Sequence, residues 1–129
     1  MNNYVDKFVS RETFIEGSEY MVYLITAGFI AFDMATGIVK AFKEKSYTSS
    51  VMREGLFHKC GSILCVVFGV LVDYAQRFLE IGVSIPVATS ICAYIVLMEI
   101  GSIIENVCAI NPEIAPEKLK AYFTKLSDK

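Results

Sequence analysis

The stretch YMVYLITAGFIAFDMATGIV, residues 20–39, contains one charged side chain, Asp33, and is bounded by Glu19 and Lys40. A helix rising about 1.5 Å per residue needs roughly 20 residues to cross a hydrocarbon core. This run has that length, and Tyr20 and Tyr23 stand where aromatic rings anchor a helix at the headgroups. It therefore predicts a membrane span. A second such run, IGVSIPVATSICAYIVLMEIGSII at 81–104, has Pro86 near its start, where a missing amide donor costs little, and Glu99 near its end. Between them, the apolar residues from Cys60 to Val72 are fewer, and the segment must run through Asp73 toward Phe78 to cross completely. A re-entrant or interfacial segment is the alternative there.

The composition agrees with these runs. Hydrophobic residues make up 54% of the chain and charged ones 20%, and the mean hydropathy is +0.49. A water-soluble domain of this length needs more charge to cover its core. The expected architecture is an all-α integral membrane protein, with three transmembrane helices flanked by short amphipathic helices at both ends. As one membrane domain it divides into an N-terminal segment 1–19, spans 20–40, 60–79 and 81–104, a basic loop 41–59 and a basic tail 112–129. Tyr4, Val5, Phe8 and Val9 recur at helical spacing in the first segment, and Leu119, Tyr122, Phe123 and Leu126 do so in the tail.

Positive residues are retained on the cytoplasmic side of bacterial membranes. Lys40, Lys43, Lys45, Arg53 and Lys59 cluster around the first connection, and Lys118, Lys120, Lys125 and Lys129 in the tail, whereas the second connection has only Arg77. Three spans put both clusters on one side, so the N-terminus is expected outside and the C-terminus inside. Lys118, Lys120 and Lys125, like the basic loop, are expected to meet anionic headgroups. The region before Tyr20 is acid-rich rather than basic, so the first span is not expected to be a cleaved signal.

Each span carries one acid: Asp33, Asp73 and Glu99. A carboxylate at a helix centre costs about 2.5–3.5 kcal/mol on insertion scales, so such residues face a partner or water. Each lies on a stripe of small or polar side chains: Thr26, Thr36 and Gly37; Gly61, Cys65 and Gly69; Ala88, Cys92 and Ser102. Ala27, Ala31 and Ala35 add a second small face to the first span. Small faces let helices approach closely in lipid, which predicts self-association. In this topology Asp33 and Glu99 lie toward the cytoplasmic ends of their helices, near Lys40 and Lys59, and Asp73 toward the outer end near Arg77, so ion pairs or a wet interface are available. The acids either line a water-filled opening or are buried, paired and structural.

The sequence offers no catalytic constellation. His58 is the single histidine, the four cysteines form no Cys-x-x-Cys pair, and no glycine-rich phosphate loop is present. No enzyme, cofactor or metal is expected. Nor is nucleic acid, since Glu44 and Glu54 interrupt the basic loop.

In order, Asp33, Thr36-Gly37, Lys40-Ala41, Ser49-Ser50, Gly55, Lys59, Asp73, Glu99, Ser102-Ile103, Glu105-Asn106, Pro116 and Leu119 resemble the toxin-secretion/phage-lysis (TcdE-like) group of bacteriophage holins. The resemblance covers roughly Ile25 to Leu119. The acidic N-terminal stretch lies outside it, and Ile110-Asn111 stand where a glycine often precedes the prolines. It implies a protein that oligomerises in the bacterial inner membrane and opens large holes, acting with an endolysin or a secreted toxin. Two other readings remain open: a small oligomeric ion or solute channel using the intramembrane acids, and a structural membrane adaptor.

Overall fold

A computed structural model describes residues 2–114 together with 117, 121 and 125, with side chains from Tyr20 onward. It contains three helices, α1 (Asn2–Lys43), α2 (Ser49–Phe78) and α3 (Val87–Ile110). Each has a stretch long and apolar enough to cross a membrane: Tyr20–Lys43, Ser49–Phe78 and Val87–Ile110. Among the described residues the chain is all-α, with three helices suited to cross a membrane. At about 1.5 Å per residue, α2 is about 45 Å long, more than the hydrocarbon thickness.

The helix boundaries differ from the sequence expectation at three places, each for a local reason. The N-terminal segment is not a separate helix: α1 runs unbroken from Asn2 through the first span. The tail expected at 112–129 lies largely outside the described residues. The basic loop expected at 41–59 contracts to 44–48, because α1 continues to Lys43 and α2 begins at Ser49. Two caps fix this turn. The Ser46 amide donates to the Ala41 carbonyl at 3.0 Å and the Lys45 amide to that of Phe42 at 3.3 Å, the paired bonds of a Schellman ending, with Lys45 at φ 56° in the left-handed position usually held by glycine. Thr48, extended at φ −128° and ψ 152°, then caps α2 by accepting from the Val51 amide. The Phe42 and Tyr47 rings stack at 4.5 Å across the turn.

The third span is shifted along the chain, with helix from Val87 to Ile110 rather than from Ile81 to Ile104. Proline disfavours helical backbone in the residue before it, so α3 cannot extend back through Ile85. Pro86 (φ −76°, ψ 79°) forms a tight turn in which the Val87 amide donates to the Ile85 carbonyl at 2.9 Å. At the other end Asn111, which precedes Pro112, is extended.

α3 packs against both other helices, while α1 and α2 pack little against each other. Its buried residues, Ala88, Cys92, Ile95, Glu99 and Asn106, are spaced alternately by three and four, with half-buried Ser102 filling the last gap. That is the repeat by which one helical seam stays against a neighbour. On α1 the facing side chains are Thr26, Ile30, Asp33, Thr36 and Ala41. Most of the large apolar residues, including Leu24, Phe32, Phe68 and Leu97, point outward. This inverts the layout of a water-soluble bundle, as expected of a chain solvated by lipid.

Candidate functional site

In the half of the bundle nearest the α1–α2 turn, the three helices are joined by one ion cluster. Lys59 of α2 reaches Asp33 Oδ2 of α1 at 2.6 Å and also meets Glu99 Oε2 of α3. Asn106 Nδ2 of α3 donates to Asp33 Oδ1 and to Thr36 Oγ1, both at 3.1 Å. The Thr36 hydroxyl in turn donates to the Asp33 carbonyl at 3.0 Å. Asp33 and Glu99 are only 7% and 5% exposed, and among the described residues no buried side-chain nitrogen or oxygen lacks a partner. The seam spacing explains the meeting. Asp33 and Thr36 are three apart on α1 and Glu99 and Asn106 seven apart on α3, so each pair projects to one side of its helix.

Beside the cluster lies an open groove of about 280 Å³, lined by Gly55, His58 and Ser62 of α2 and by Ile95, Met98 and Ser102 of α3, with Asp33, Lys59 and Glu99 in its wall. Here α2 stands away from its neighbours: residues 53–58 are all exposed, and Lys59 crosses the gap.

The third acid is elsewhere and does something different. Asp73 accepts from the Val87 amide at 2.8 Å and from the Ala88 amide at 3.0 Å. Those amides have no intrahelical partner at the start of α3, whose own N-cap, Pro86, provides no side-chain bond, and the Val87 amide is shared between Asp73 and the Ile85 carbonyl. Gln76 completes the clasp, accepting from the Ile85 amide at 2.7 Å and donating to the Ile85 carbonyl at 3.0 Å. Arg77 does not pair with Asp73; its guanidinium sits 6.0 Å from the Tyr74 ring centre. At the far end of α3, Lys43 donates to the Ala109 and Ile110 carbonyls, both at 2.7 Å. α3 has no acid in its first turn and no base in its last. Its dipole is complemented instead by an acid from α2 and a base from α1.

The small residues separate into two groups. Gly69, Ala88 and Cys92 are buried within the chain, and Gly37 is half-buried beside Asn106. A Cβ on Gly69 would lie 2.9 Å from Ala88 Cα and 2.9 Å from Ile91 Cδ1, so only glycine permits this approach of α2 to α3. Ala27, Ala31 and Ala35 on α1, with Gly61 and Cys65 on α2, face outward. Of the basic residues, Lys45 and Arg53 are exposed and Lys40 half-buried, whereas Lys43 and Lys59 are spent on the contacts above. Lys118 and Lys120 lie outside the described residues; Lys125 is exposed.

Asn106 is the site residue that sequence reasoning left without a role, although an amide seven residues from Glu99 on an apolar helix was a visible signal. Among the described residues no group of His, Cys, Asp and Glu side chains is placed to hold a metal, and all four cysteines are free.

Three helices long and apolar enough to cross a membrane, joined by an ion cluster, define a multi-pass membrane protein. The chain matches the bacteriophage holin family over residues 11–128 and belongs to that family. It is also 30% identical over 118 residues to an uncharacterised 14.9 kDa protein of the nagH 3′ region of Clostridium perfringens, a match covering 91% of this chain and 85% of the relative. No solved structure gives a significant match.

Proposed function

We propose that this protein is a holin that oligomerises in the bacterial inner membrane and opens holes wide enough to release a folded endolysin or another large protein cargo. The observation that carries this reading, beside family membership, is the separation of its surfaces. Polar groups from all three helices gather on the inside of the protomer, and the outside is apolar, with the small face Ala27, Ala31 and Ala35 available for close approach by a second copy. Packed this way, protomers collect in lipid without a leak. A hole needs a wet rim, so opening exchanges contacts within the protomer for contacts between protomers and turns the seam bearing Asp33 and Glu99 toward water.

Hole size tests the reading. Expression in a bacterium is expected to collapse the membrane potential abruptly and to release a folded, endolysin-sized cytoplasmic reporter. Depolarisation without release of the reporter would establish a narrow channel, and neither effect at high expression would leave the adaptor.

The basic residues around the α1–α2 turn and in the tail support an N-terminus outside and a C-terminus inside. Cysteine probes at Ser49 and Ser127, in a chain cleared of its own cysteines, are expected to be shielded from a membrane-impermeant thiol reagent in intact cells, and a probe at Asn3 to be labelled. Labelling at Ser49 from outside would reverse the assignment.

A further inference from the structure

At the end of the bundle away from the ion cluster, α2 and α3 are joined by LEIGVSIP, residues 79–86, in which Glu80 is the single charge. Every residue from Arg77 to Pro86 is exposed, and Phe78, Leu79, Ile81, Val83 and Ile85 are between 52% and 73% exposed. A connection surrounded by water would present these five side chains as one apolar patch. Instead they continue the outward-facing surface of Leu71 and Tyr74 on the last turns of α2.

The connection is also tied down. Gln76 holds both main-chain groups of Ile85, and Asp73 holds the amides of Val87 and Ala88. α3 therefore starts level with Asp73, five residues before the end of α2, and the chain between them arches about 7.5 Å above that start at about 1.5 Å per residue. A headgroup layer is about 5–7.5 Å deep on each side of the hydrocarbon, so an arch whose foot stands at the hydrocarbon boundary fits within it. Backbone and side chains select the same depth. The amides of residues 80–84 make no hydrogen bond to another backbone group among the described residues; hydrocarbon does not tolerate such groups, whereas the hydrated headgroup layer does. Tyr74, with Arg77 beside its ring at 6.0 Å, supplies the residue types that anchor a helix at that level.

We infer that the α2–α3 connection is a lipid-binding arch, seated among the headgroups of the leaflet away from the α1–α2 turn, with Leu79, Ile81, Val83 and Ile85 against the upper acyl chains. Its partner is the apolar part of the lipid. Arg77 and Glu80, the two charges between Asp73 and Glu99, are of opposite sign, so the arch does not select anionic headgroups, unlike the basic α1–α2 turn. The inference rests on the chain spanning a membrane and not on hole formation.

The chain contains no tryptophan, so a tryptophan placed at Ser84 is a sole fluorescent reporter on the arch, and one placed at Ser46 reports the polar turn at the other end. Both full-length variants can be reconstituted in lipid nanodiscs, where each face is open to an aqueous quencher. Ser84→Trp is expected to emit at shorter wavelength than Ser46→Trp and to be quenched severalfold less by iodide. Lipids brominated near the headgroup should quench it more than lipids brominated near the end of the chain, equally in phosphatidylcholine and in a mixture with phosphatidylglycerol. Adding Ile81→Ser and Val83→Ser should bring the Ser84→Trp signal to that of Ser46→Trp, because the apolar side chains and not the reporter hold the arch in lipid. Full exposure of Ser84→Trp to iodide places the arch in water and overturns the inference. So does protection from iodide without quenching by brominated lipid, which means that protein covers the arch, and so does unchanged quenching after the two serine substitutions. The comparison of Ser84→Trp with Ser46→Trp decides alone should the serine variant fail to fold. Failure to release a reporter in cells would leave the arch in place, and an arch in water would leave the hole-forming reading intact.

Discussion

Replacing Lys59 with Met is expected to destabilise the protomer more than any other single change of charge. It removes the group that crosses from α2 to both other helices and strands Asp33 and Glu99 at 7% and 5% exposure. Breaking a buried ion pair from one side costs about 3–5 kcal/mol, less whatever proton uptake recovers. Removing the acids as well should restore most of that loss, since replacing a whole buried charge cluster by apolar groups of similar shape is close to neutral. The triple variant Lys59→Met, Asp33→Leu, Glu99→Met is therefore expected to unfold in denaturing detergent near the wild-type midpoint, and the single variant well before it. In cells the single variant should open holes earlier, because the seam between α2 and the rest is already loosened. Equal midpoints for Lys59→Met and the wild type would show that the cluster does not hold the helices together.

The second large effect is expected at Gly69, and its value lies in the contrast with Ala31. Even Gly69→Ala puts a Cβ 2.9 Å from the Ala88 backbone, which has nowhere to move. Gly69→Leu must push α2 off α3 and draw Asp73, one turn further on, away from the Val87 and Ala88 amides. Overpacking costs about 1–3 kcal/mol, and losing the cap adds about 1 kcal/mol. Ala31 faces outward, so Ala31→Leu is expected to leave the protomer's thermal unfolding unchanged and to reduce cross-linking between copies. Gly69→Leu should lower the unfolding temperature of the monomer itself. If Ala31→Leu cross-links as the wild type does, the Ala27–Ala31–Ala35 face is lipid-covered in the assembly and another surface joins the copies.

The contrast also marks what the sequence made legible. Three spans could be read because hydrocarbon thickness imposes a length, and charge-free runs reveal it. The α3 seam was half visible: Ala88, Cys92 and Glu99 fall on one stripe by spacing alone. Lys59 was partly legible: its level matched Asp33 and Glu99, which made ion pairs available, but Lys40 stood there too, and only the Thr48 cap, which starts α2 eleven residues earlier, makes Lys59 a helical residue that turns inward. Gly69 was recognisable as a packing residue, but whether a small face meets its own chain or another copy depends on how helices are placed around each other. Asp73 shows the same limit, since its partners lie 14 and 15 residues away, across a turn whose path the periodicity does not encode.

The fastenings of α3 have a consequence for how the chain is made. Its first amides are met by Asp73 and its last carbonyls by Lys43, and both residues precede it in the sequence. During synthesis from the N-terminus, the partners for both ends of the last span are already in the bilayer when that span emerges. A helix entering lipid with unsatisfied backbone at its ends would be penalised there; this one meets a receptor for each end, supplied by two different predecessors. The order of translation is thus also an order of assembly, in which the third span arrives as a bolt into a frame already built.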